Sequence, residues 1–241
     1  MPSTSALSSS PLELPRDHFW RVTVLGLAFL VLWDMVGLDR PMAHWFGSAA
    51  GFPLRANWFI VKVLHDATQN AGWLWLLGMT LGIFWPRGVL RRLTRGERGG
   101  MVLGTLLALL AIGLMKQTSH TSCPWDLSEF GGTGTYVSHW WWGVRDGGGG
   151  HCFPAGHAST GFALVSGYFG LRPHAPKAAR RWLIGALATG FALGLVQQMR
   201  GAHFTSHTLW TAWLCWTVCG LADLAMRHRV RMRALPAAAG L

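Results

Sequence analysis

The sequence has few charged residues: Asp, Glu, Lys and Arg make up 13% of its 241 residues, whereas a soluble domain has about a quarter. Only 10 residues are acidic and only 2 are Tyr, but 15 are Trp, and hydrophobic residues make up 51%. Mean hydropathy is +0.28. A chain this apolar is not disordered, and its composition also excludes collagen-like and coiled-coil proteins. The scarcity of charge indicates a surface that faces something other than water.

Apolar segments recur six times, at residues 19–38, 71–85, 101–115, 158–171, 182–196 and 209–226. Several are shorter than the roughly 20 residues that cross a bilayer, so the connections between them decide the interpretation. Of the 21 Lys and Arg residues, 15 lie on one side of the alternation, within residues 16–21, 87–98, 172–181 and 227–233. That asymmetry is typical of the cytoplasmic side of a membrane protein. A nucleic-acid surface would gather basic residues on one face with stacking aromatics, so we expect no nucleic-acid partner.

These segments predict an all-α fold, a bundle of six transmembrane helices over residues 19–228 in a bacterial cytoplasmic membrane, with the lipid bilayer as its partner. Residues 1–18 are predicted as a disordered cytoplasmic tail and residues 229–241 as a second cytoplasmic tail. The connection between helices 3 and 4, residues 116–157, is predicted to lie in the periplasm. A connection of that length is usually functional or disordered.

Three features near this connection have local interpretations. Trp140, Trp141 and Trp142 are predicted to anchor it at headgroup depth, and the alternative is a lipid-contacting lip beside a binding site. The glycines at residues 147–150 predict a hinge or a turn. Asp34, near the outer end of the first span, is expected to reach the membrane interface.

Titratable residues concentrate at the predicted outer ends of spans three to six. Lys and Arg there supply positive charge, and the planar fork of Arg matches phosphate oxygens. Pro154 suits the first turn of a helix, where the amides that follow it face an anion. The pattern predicts a phosphate site that uses no metal and no cofactor. Its candidate substrate-binding residues are Lys116, Arg200, Ala155, Gly156 and His120.

Three histidines are candidates for the chemical steps. His157 stands at the edge of the predicted phosphate site, where a protonated imidazole gives its proton to a leaving oxygen. His203 and His207 are four residues apart and share a helix face, so one attacks phosphorus through nitrogen while the other orients it. A competing interpretation uses the three side chains as metal ligands, although the Glu of an H-E-x-x-H motif is missing.

Three motifs within residues 100–225 resemble the signatures of the type 2 phosphatidic acid phosphatase superfamily, K-x6-R-P, P-S-G-H and S-R-x5-H-x3-D. They are residues 116–124, 154–157 and 200–207. Their order, spacing and predicted side of the membrane all agree, which is more specific than any single motif. Two positions diverge in the first two signatures, since Cys123 replaces an Arg and Ala155 replaces a Ser.

The third signature diverges further. With His203 aligned as the nucleophile, His207 stands where the family has Asp, Gln197 stands where it has Arg, and Arg200 lies three residues late. With His207 as the nucleophile, Arg200 is one residue off the usual spacing and the partner four residues on is lost. We therefore assign the attack to His203, its orientation to His207 and the proton transfer to His157.

The resemblance implies a six-span phosphatase that removes phosphate from a lipid phosphate or diphosphate at the periplasmic face through a phosphohistidine. Undecaprenyl diphosphate, phosphatidylglycerophosphate, phosphatidic acid and lipid A phosphates all present such a group. Two alternatives remain open. One is a non-catalytic lipid-phosphate binder or transporter with a degenerate site, and the other is a metal-dependent membrane hydrolase.

The cysteines fall into two pairs. Cys123 and Cys152 lie on the predicted periplasmic side, which is oxidising in a bacterial envelope. We predict a disulfide between them that ties the first signature to the second, and the alternative is two unpaired thiols. Cys215 and Cys219, inside the last span, are predicted to serve packing alone.

Overall fold

A computed structural model describes residues 16–238 of the chain. Helices α1 (Arg16–Val36) and α2 (Asp39–Ala43) precede a π-helix (Phe59–Ala67) that runs into α3 (Thr68–Phe84). The remaining α-helices are α4 (Arg95–Thr118), α5 (Gly156–Phe162), α6 (Ser166–Leu171), α7 (Pro176–Met199) and α8 (Thr205–Ala238). Short 3-10 turns cover Gly88–Arg92, Pro124–Asp126, Ser128–Phe130 and Ala163–Val165. The described part of the chain is helical without strands, which confirms the predicted all-α class.

Helix extends into both segments predicted as tails, because α1 begins at Arg16 and α8 continues to Ala238. The remainder of those two predictions, residues 1–15 and 239–241, lies outside the described residues.

Five helices are long and apolar enough to cross a membrane: His18–Val36, Phe59–Arg92, Arg95–Thr118, Pro176–Met199 and Thr205–Val230. This count covers residues 16–238 and indicates a multi-pass membrane protein. The segment predicted as the fourth span is instead α5, a 3-10 turn and α6 in succession. It is about 24 Å long at the usual rise per residue. The six-span count therefore remains a prediction.

That interrupted segment is the centre of the bundle. Phe162, Val165 and Phe169 are at most 2% exposed and belong to a core shared with α4 and α8. A Cβ added at Gly161 would lie 2.3 Å from the backbone nitrogen of Gly190 in α7. The two helices therefore touch backbone to backbone, as small residues allow in membrane bundles. Packing thus fixes the helix that begins with the second signature.

Buried polar contacts order the connection between α4 and α5. Asp146, 5% exposed, accepts hydrogen bonds from the amides of Ser122 at 2.6 Å and Gly148 at 3.0 Å. Gly147 and Gly150 have φ values of 82° and 65°, a region that favours glycine. The glycine run therefore bends the chain at Gly147 and Gly148, where the sequence predicts a hinge or a turn.

The side chain of Asp34 is buried and has partners inside the protein, and its position at the membrane interface remains a prediction. The Asp34 side chain is 7% exposed, and its Oδ2 lies 3.2 Å from Nε2 of His139. The same oxygen accepts hydrogen bonds from the indole N–H groups of Trp140 at 3.0 Å and Trp210 at 2.9 Å. These partners come from the long connection and from α8, so one carboxylate ties both of them to α1.

Asp39, which is far from α8 in the sequence, forms hydrogen bonds with the first turn of α8. It is 5% exposed, and its Oδ1 accepts from the Ser206 amide at 2.8 Å and from Nε1 of Trp33 at 3.1 Å. Its Oδ2 accepts from the Ser206 hydroxyl. Because α8 begins at Thr205, Asp39 satisfies a first-turn amide that a neighbouring residue normally caps. Burial raises the pKa of Asp39.

We expect Asp39→Ala to lower the free energy of unfolding by about 2 to 3 kcal/mol, because it leaves buried donors of Ser206 and Trp33 unpaired. Asp39→Asn should lower it by less than about 1 kcal/mol, since the amide oxygen keeps both bonds of Oδ1 and the amide nitrogen donates to the Ser206 hydroxyl. Thermal unfolding in detergent measures both variants.

The raised pKa of Asp39 also determines how the stability of the protein should change with pH. The wild type should gain stability as the pH falls through that raised pKa toward the ordinary carboxyl range. Asp39→Asn should lack this gain. Equal destabilisation by Asn and Ala would contradict the hydrogen-bond account and would mean that the charge itself matters.

Candidate active site

The three signatures meet at one end of the bundle, where α4 and α7 end and α5 and α8 begin. Lys116 lies in the last turn of α4, and a Cβ added at Gly156 would be 3.6 Å from its Nζ. The carbonyl of Cys152 contacts His203, and Thr211 of α8 bonds the residue just before α5. The fold therefore brings together a lysine and several histidines from distant parts of the chain.

His203 lies in the turn between α7 and α8 and is 4% exposed. Its Nδ1 is 2.7 Å from the carbonyl oxygen of Cys152. A carbonyl accepts and cannot donate, so Nδ1 carries the proton and Nε2 keeps its lone pair. Burial, followed by the positive charge of Lys116, lowers the pKa of His203 to about 3. The ring is therefore neutral near pH 7 and presents an unprotonated nitrogen.

His207 lies one turn further along, in α8, and is 1% exposed. Its ring meets that of His203 edge to face with centroids 5.7 Å apart, and it also packs on Phe153 at 5.3 Å and His139 at 6.0 Å. The hydrogen bond predicted between the two histidines is replaced by one that His203 donates to the Cys152 carbonyl. Within residues 16–238, Nδ1 of His207 has no hydrogen-bond partner. Its predicted positioning role therefore depends on ring packing.

The start of α5 differs from its prediction. α5 begins at Gly156 with Ala155 as its N-cap, so Pro154 precedes the helix instead of lying in its first turn. Ala155 is fully buried, and its amide donates to Oγ1 of Thr211 at 2.9 Å. The anion contact predicted for the Ala155 amide is therefore wrong, because α8 already accepts that hydrogen. Gly156 is partly exposed and remains a candidate contact.

His157 and Lys116 lie near His203 from two other helices. His157 is the second residue of α5, and both side chains belong to partly exposed residues. A positive charge on either one lowers the pKa of His203, with Lys116 the stronger influence. Both groups are thus close enough to act electrostatically on a phosphate that approaches His203.

Arg200 reaches back along the end of α7. Its guanidinium donates to Oε1 of Gln197 and to the carbonyl of Arg55, both at 3.3 Å, and lies 5.8 Å from the ring centroid of Trp125. Gln197, at the position where the third signature has Arg, is 3% exposed. Arg200 therefore contacts the side chain that stands in the family's arginine position. It makes no hydrogen bond to His203 within the described residues.

His120 lies to one side of this cluster. It is exposed and lines a cavity with Trp141, Trp142 and Phe153. Within the part of the chain that the structure describes, His120 forms no hydrogen bond or ion pair. Its contact with substrate phosphate remains a prediction, and its neighbours are the exposed tryptophans of the connection.

The structure joins Cys123 and Cys152 as a disulfide, with Cα atoms 5.1 Å apart. Both residues are buried, at 8% and 4% exposed. Since the Cys152 carbonyl accepts from His203, this bond would link the first signature to the group that orients the imidazole. Cys215 and Cys219 of α8 are buried free thiols.

Peptide mapping of protein purified from membranes under non-reducing conditions should recover one cross-linked pair that contains Cys123 and Cys152. Reduction should separate the pair, and Cys123→Ser should lower phosphate release because the Cys152 carbonyl loses its anchor. Cys215→Ala is the matched control and should change neither result. Peptides of equal mobility with and without reductant would contradict the disulfide.

The described residues contain no group of three or more His, Cys, Asp or Glu that is arranged to hold a metal ion. The metal-dependent alternative is therefore tested by the metal content of the purified protein.

Two parts of the site escaped the sequence analysis. The acceptor for His203 is a backbone carbonyl, which has no sequence signal. His139 belongs to none of the three signatures, but its ring stacks on Phe153 with centroids 4.2 Å apart and it pairs with Asp34. The carboxylate of Asp34 was the available signal, because an ionisable group in a membrane span usually has a partner.

These observations define a class of protein first: a multi-pass helical membrane protein with a buried neutral histidine beside a lysine and a second histidine. A family model, PAP2 superfamily, matches residues 99–231, which is more than half of the chain. The chain belongs to the PAP2 superfamily, which confirms the resemblance and supports a phosphatase-type function. The match covers most of α4, all of α5 to α7, most of α8 and all three signatures. No curated protein and no solved structure matches the chain.

Proposed function

We propose that this protein hydrolyses a lipid phosphate or lipid diphosphate at the outer face of a bacterial cytoplasmic membrane, through a phosphohistidine at His203. The observation that carries the proposal is the hydrogen bond from Nδ1 of His203 to the Cys152 carbonyl at 2.7 Å. It fixes the tautomer in which Nε2 is the nucleophile. A buried histidine kept neutral serves attack better than a charged one, because a protonated nitrogen has no lone pair.

The reaction uses two displacements. Nε2 of His203 attacks phosphorus, forming an N–P bond while the bond from phosphorus to the leaving oxygen breaks, and His157 gives its proton to that oxygen. Water then attacks the phosphohistidine, His157 takes a proton from it, and inorganic phosphate leaves with His203 neutral again. Lys116, Arg200 and the Gly156 amide balance charge on the non-bridging oxygens as it develops.

The carbonyl of Cys152 takes over part of the work that the family assigns to an Asp. It fixes the orientation and tautomer of His203, as a carboxylate does in a triad. Being neutral, it does not compensate the positive charge that the imidazole acquires on attack. The incoming phosphate must supply that compensation, which makes the anionic charge of the substrate part of the chemistry.

Membrane-facing aromatics beside the site support a lipid substrate. Trp141 and Trp142 are 69% and 70% exposed and line one cavity with Phe153, whose ring packs on His207. Tryptophan side chains favour the headgroup depth of a bilayer. A lipid with its phosphate at that depth would meet the tryptophans and the histidines together. This contact favours the lip interpretation of the tryptophans over simple anchoring.

The test is phosphate release by purified wild type and His203→Asn in detergent with EDTA. The panel is undecaprenyl diphosphate, phosphatidylglycerophosphate, phosphatidic acid and lipid A. We expect the wild type alone to release phosphate, and vanadate to block it as a phosphate transition-state mimic.

Two results would overturn the proposal. Activity that chelation removes and zinc restores would establish the metal-dependent hydrolase. Lipid binding without release of phosphate from any member of the panel would establish a binder or transporter.

A further inference from the structure

A second cavity, of about 480 Å³, opens at the end of the bundle opposite the histidines. Its walls are the 3-10 turn Gly88–Arg92 and the first turns of α7. α4 and α7 each run 24 residues from this end to the candidate active site, about 36 Å at the usual rise per residue. The cavity is therefore separate from the phosphatase site.

Three cations line this cavity, Arg92, Lys177 and Arg181, and no acidic residue does. The described acidic side chains at this end are engaged elsewhere. Glu97 is 2.6 Å from Nε2 of His174, and Asp223 forms an ion pair with α8's own Arg227. No described side chain forms an ion pair with any of the three cavity cations, so their charge is uncompensated within the part of the chain that the structure describes.

The remaining walls of the cavity are apolar. Val89, Ala175 and Pro176 line the cavity between the cations. Close by in the chain, Phe84 and Trp85 at the end of α3 are 54% and 70% exposed. A ligand that fits must therefore combine an anionic group with apolar chains. Basic pockets between transmembrane helices bind phospholipid headgroups for this reason.

We propose that this cavity binds the headgroup of one anionic phospholipid from the leaflet at this end. The phosphate lies among the three cations, and the acyl chains run along the exposed apolar end of α3. This lipid is a bound partner and not a substrate, because the phosphatase site lies at the far end of the bundle. Its binding joins the 88–92 turn to α7.

The test uses full-length protein in nanodiscs of phosphatidylcholine with or without phosphatidylglycerol, released for native mass spectrometry. The cavity variant is Arg92→Gln/Lys177→Gln/Arg181→Gln. The matched control is Arg87→Gln/Arg180→Gln/Arg229→Gln, which removes the same charge from the same end outside the cavity. We expect wild type and control to retain one phosphatidylglycerol, and occupancy in the cavity variant to fall at least about tenfold.

Three results would overturn the proposal. Equal loss in both triple variants would mean diffuse attraction, and retention by the cavity variant would place the lipid elsewhere. Retention of phosphatidylcholine as firmly as phosphatidylglycerol would remove the role of charge. If the cavity variant does not fold, Lys177→Gln replaces it, because this exposed side chain makes no hydrogen bond or ion pair in the described structure. That variant should lose occupancy severalfold, and full retention would contradict the site.

Discussion

Replacing His203 with alanine is expected to lower kcat/KM for phosphate release by about 1,000-fold or more, because no other group takes over from an absent nucleophile. Initial rates on the lipid phosphate that the wild type hydrolyses measure the loss. His228→Ala is the matched control, since that histidine is exposed near the other end of α8. A His203→Ala variant that folds and keeps its rate would exclude the proposed mechanism.

Detection of the phosphohistidine intermediate shows whether His203→Ala loses activity because the nucleophile is missing or because packing is disturbed. A reaction quenched in base should contain phosphate bound to the protein through an acid-labile N–P bond, and His203→Ala should contain none.

His207→Ala tests the role of the ring next to His203. Because the Cys152 carbonyl, and not His207, accepts from Nδ1 of His203, we expect this variant to keep the phosphohistidine and to lose only about tenfold in rate. A loss as large as that of His203→Ala would give His207 the orienting role that the sequence predicted.

The burial of His203 also determines how activity and stability should depend on pH. The pKa of His203 is lowered by burial to about 3, from an ordinary value of 6.5. Activity should therefore not fall with His203 protonation as the pH drops through 6.5. Below 6.5 the unfolded chain binds a proton that the folded chain refuses, so the stability linked to His203 declines as the pH falls from 6.5 toward about 3. His203→Asn should lack that decline.

The sequence predicted where the helices lie along the chain better than it predicted which of them are buried in the bundle. An apolar stretch predicts a membrane span and a buried helix equally well, so the pattern over residues 158–171 did not show that this segment is the packed centre of the bundle. The small residues along it, such as Gly161 against Gly190, were the feature that indicates close helix packing. The charge asymmetry along the chain predicts which segment ends share a side of the membrane, and that assignment remains a prediction.

The sequence motifs identified the side chains of the candidate site. They did not identify the backbone groups that contact those side chains. Lys116 and His157 lie close enough to His203 to influence its pKa, while their roles remain predictions. The Ala155 amide failed as an anion contact because Thr211, four residues beyond His207, accepts its hydrogen. Such a partner follows from helix packing, for which no local pattern exists.

Arg200→Ala is expected to lower kcat/KM by about 100-fold, the loss typical of removing one preorganised charge from a transition-state oxyanion. Arg200 lies three residues after the family's arginine position, but its guanidinium donates to Gln197, which occupies that position. If Arg200 supplies the missing charge from there, Gln197→Arg in the Arg200→Ala background should recover most of the rate. The recovered variant should regain kcat more than KM, because the contact strengthens as charge develops.

Arg55→Ala is the matched control for this pair, since Arg55 also packs over the ring of Trp125, at 4.6 Å from its centroid. An equal loss from Arg55→Ala would mean that both arginines merely support the loop. Arg200→Lys separates the two remaining roles: a lysine keeps the charge but not the planar fork that binds two phosphate oxygens. Retention of most of the rate by Arg200→Lys would assign Arg200 to the general field of the site, whereas a loss close to that of alanine would assign it to direct contact with the phosphate.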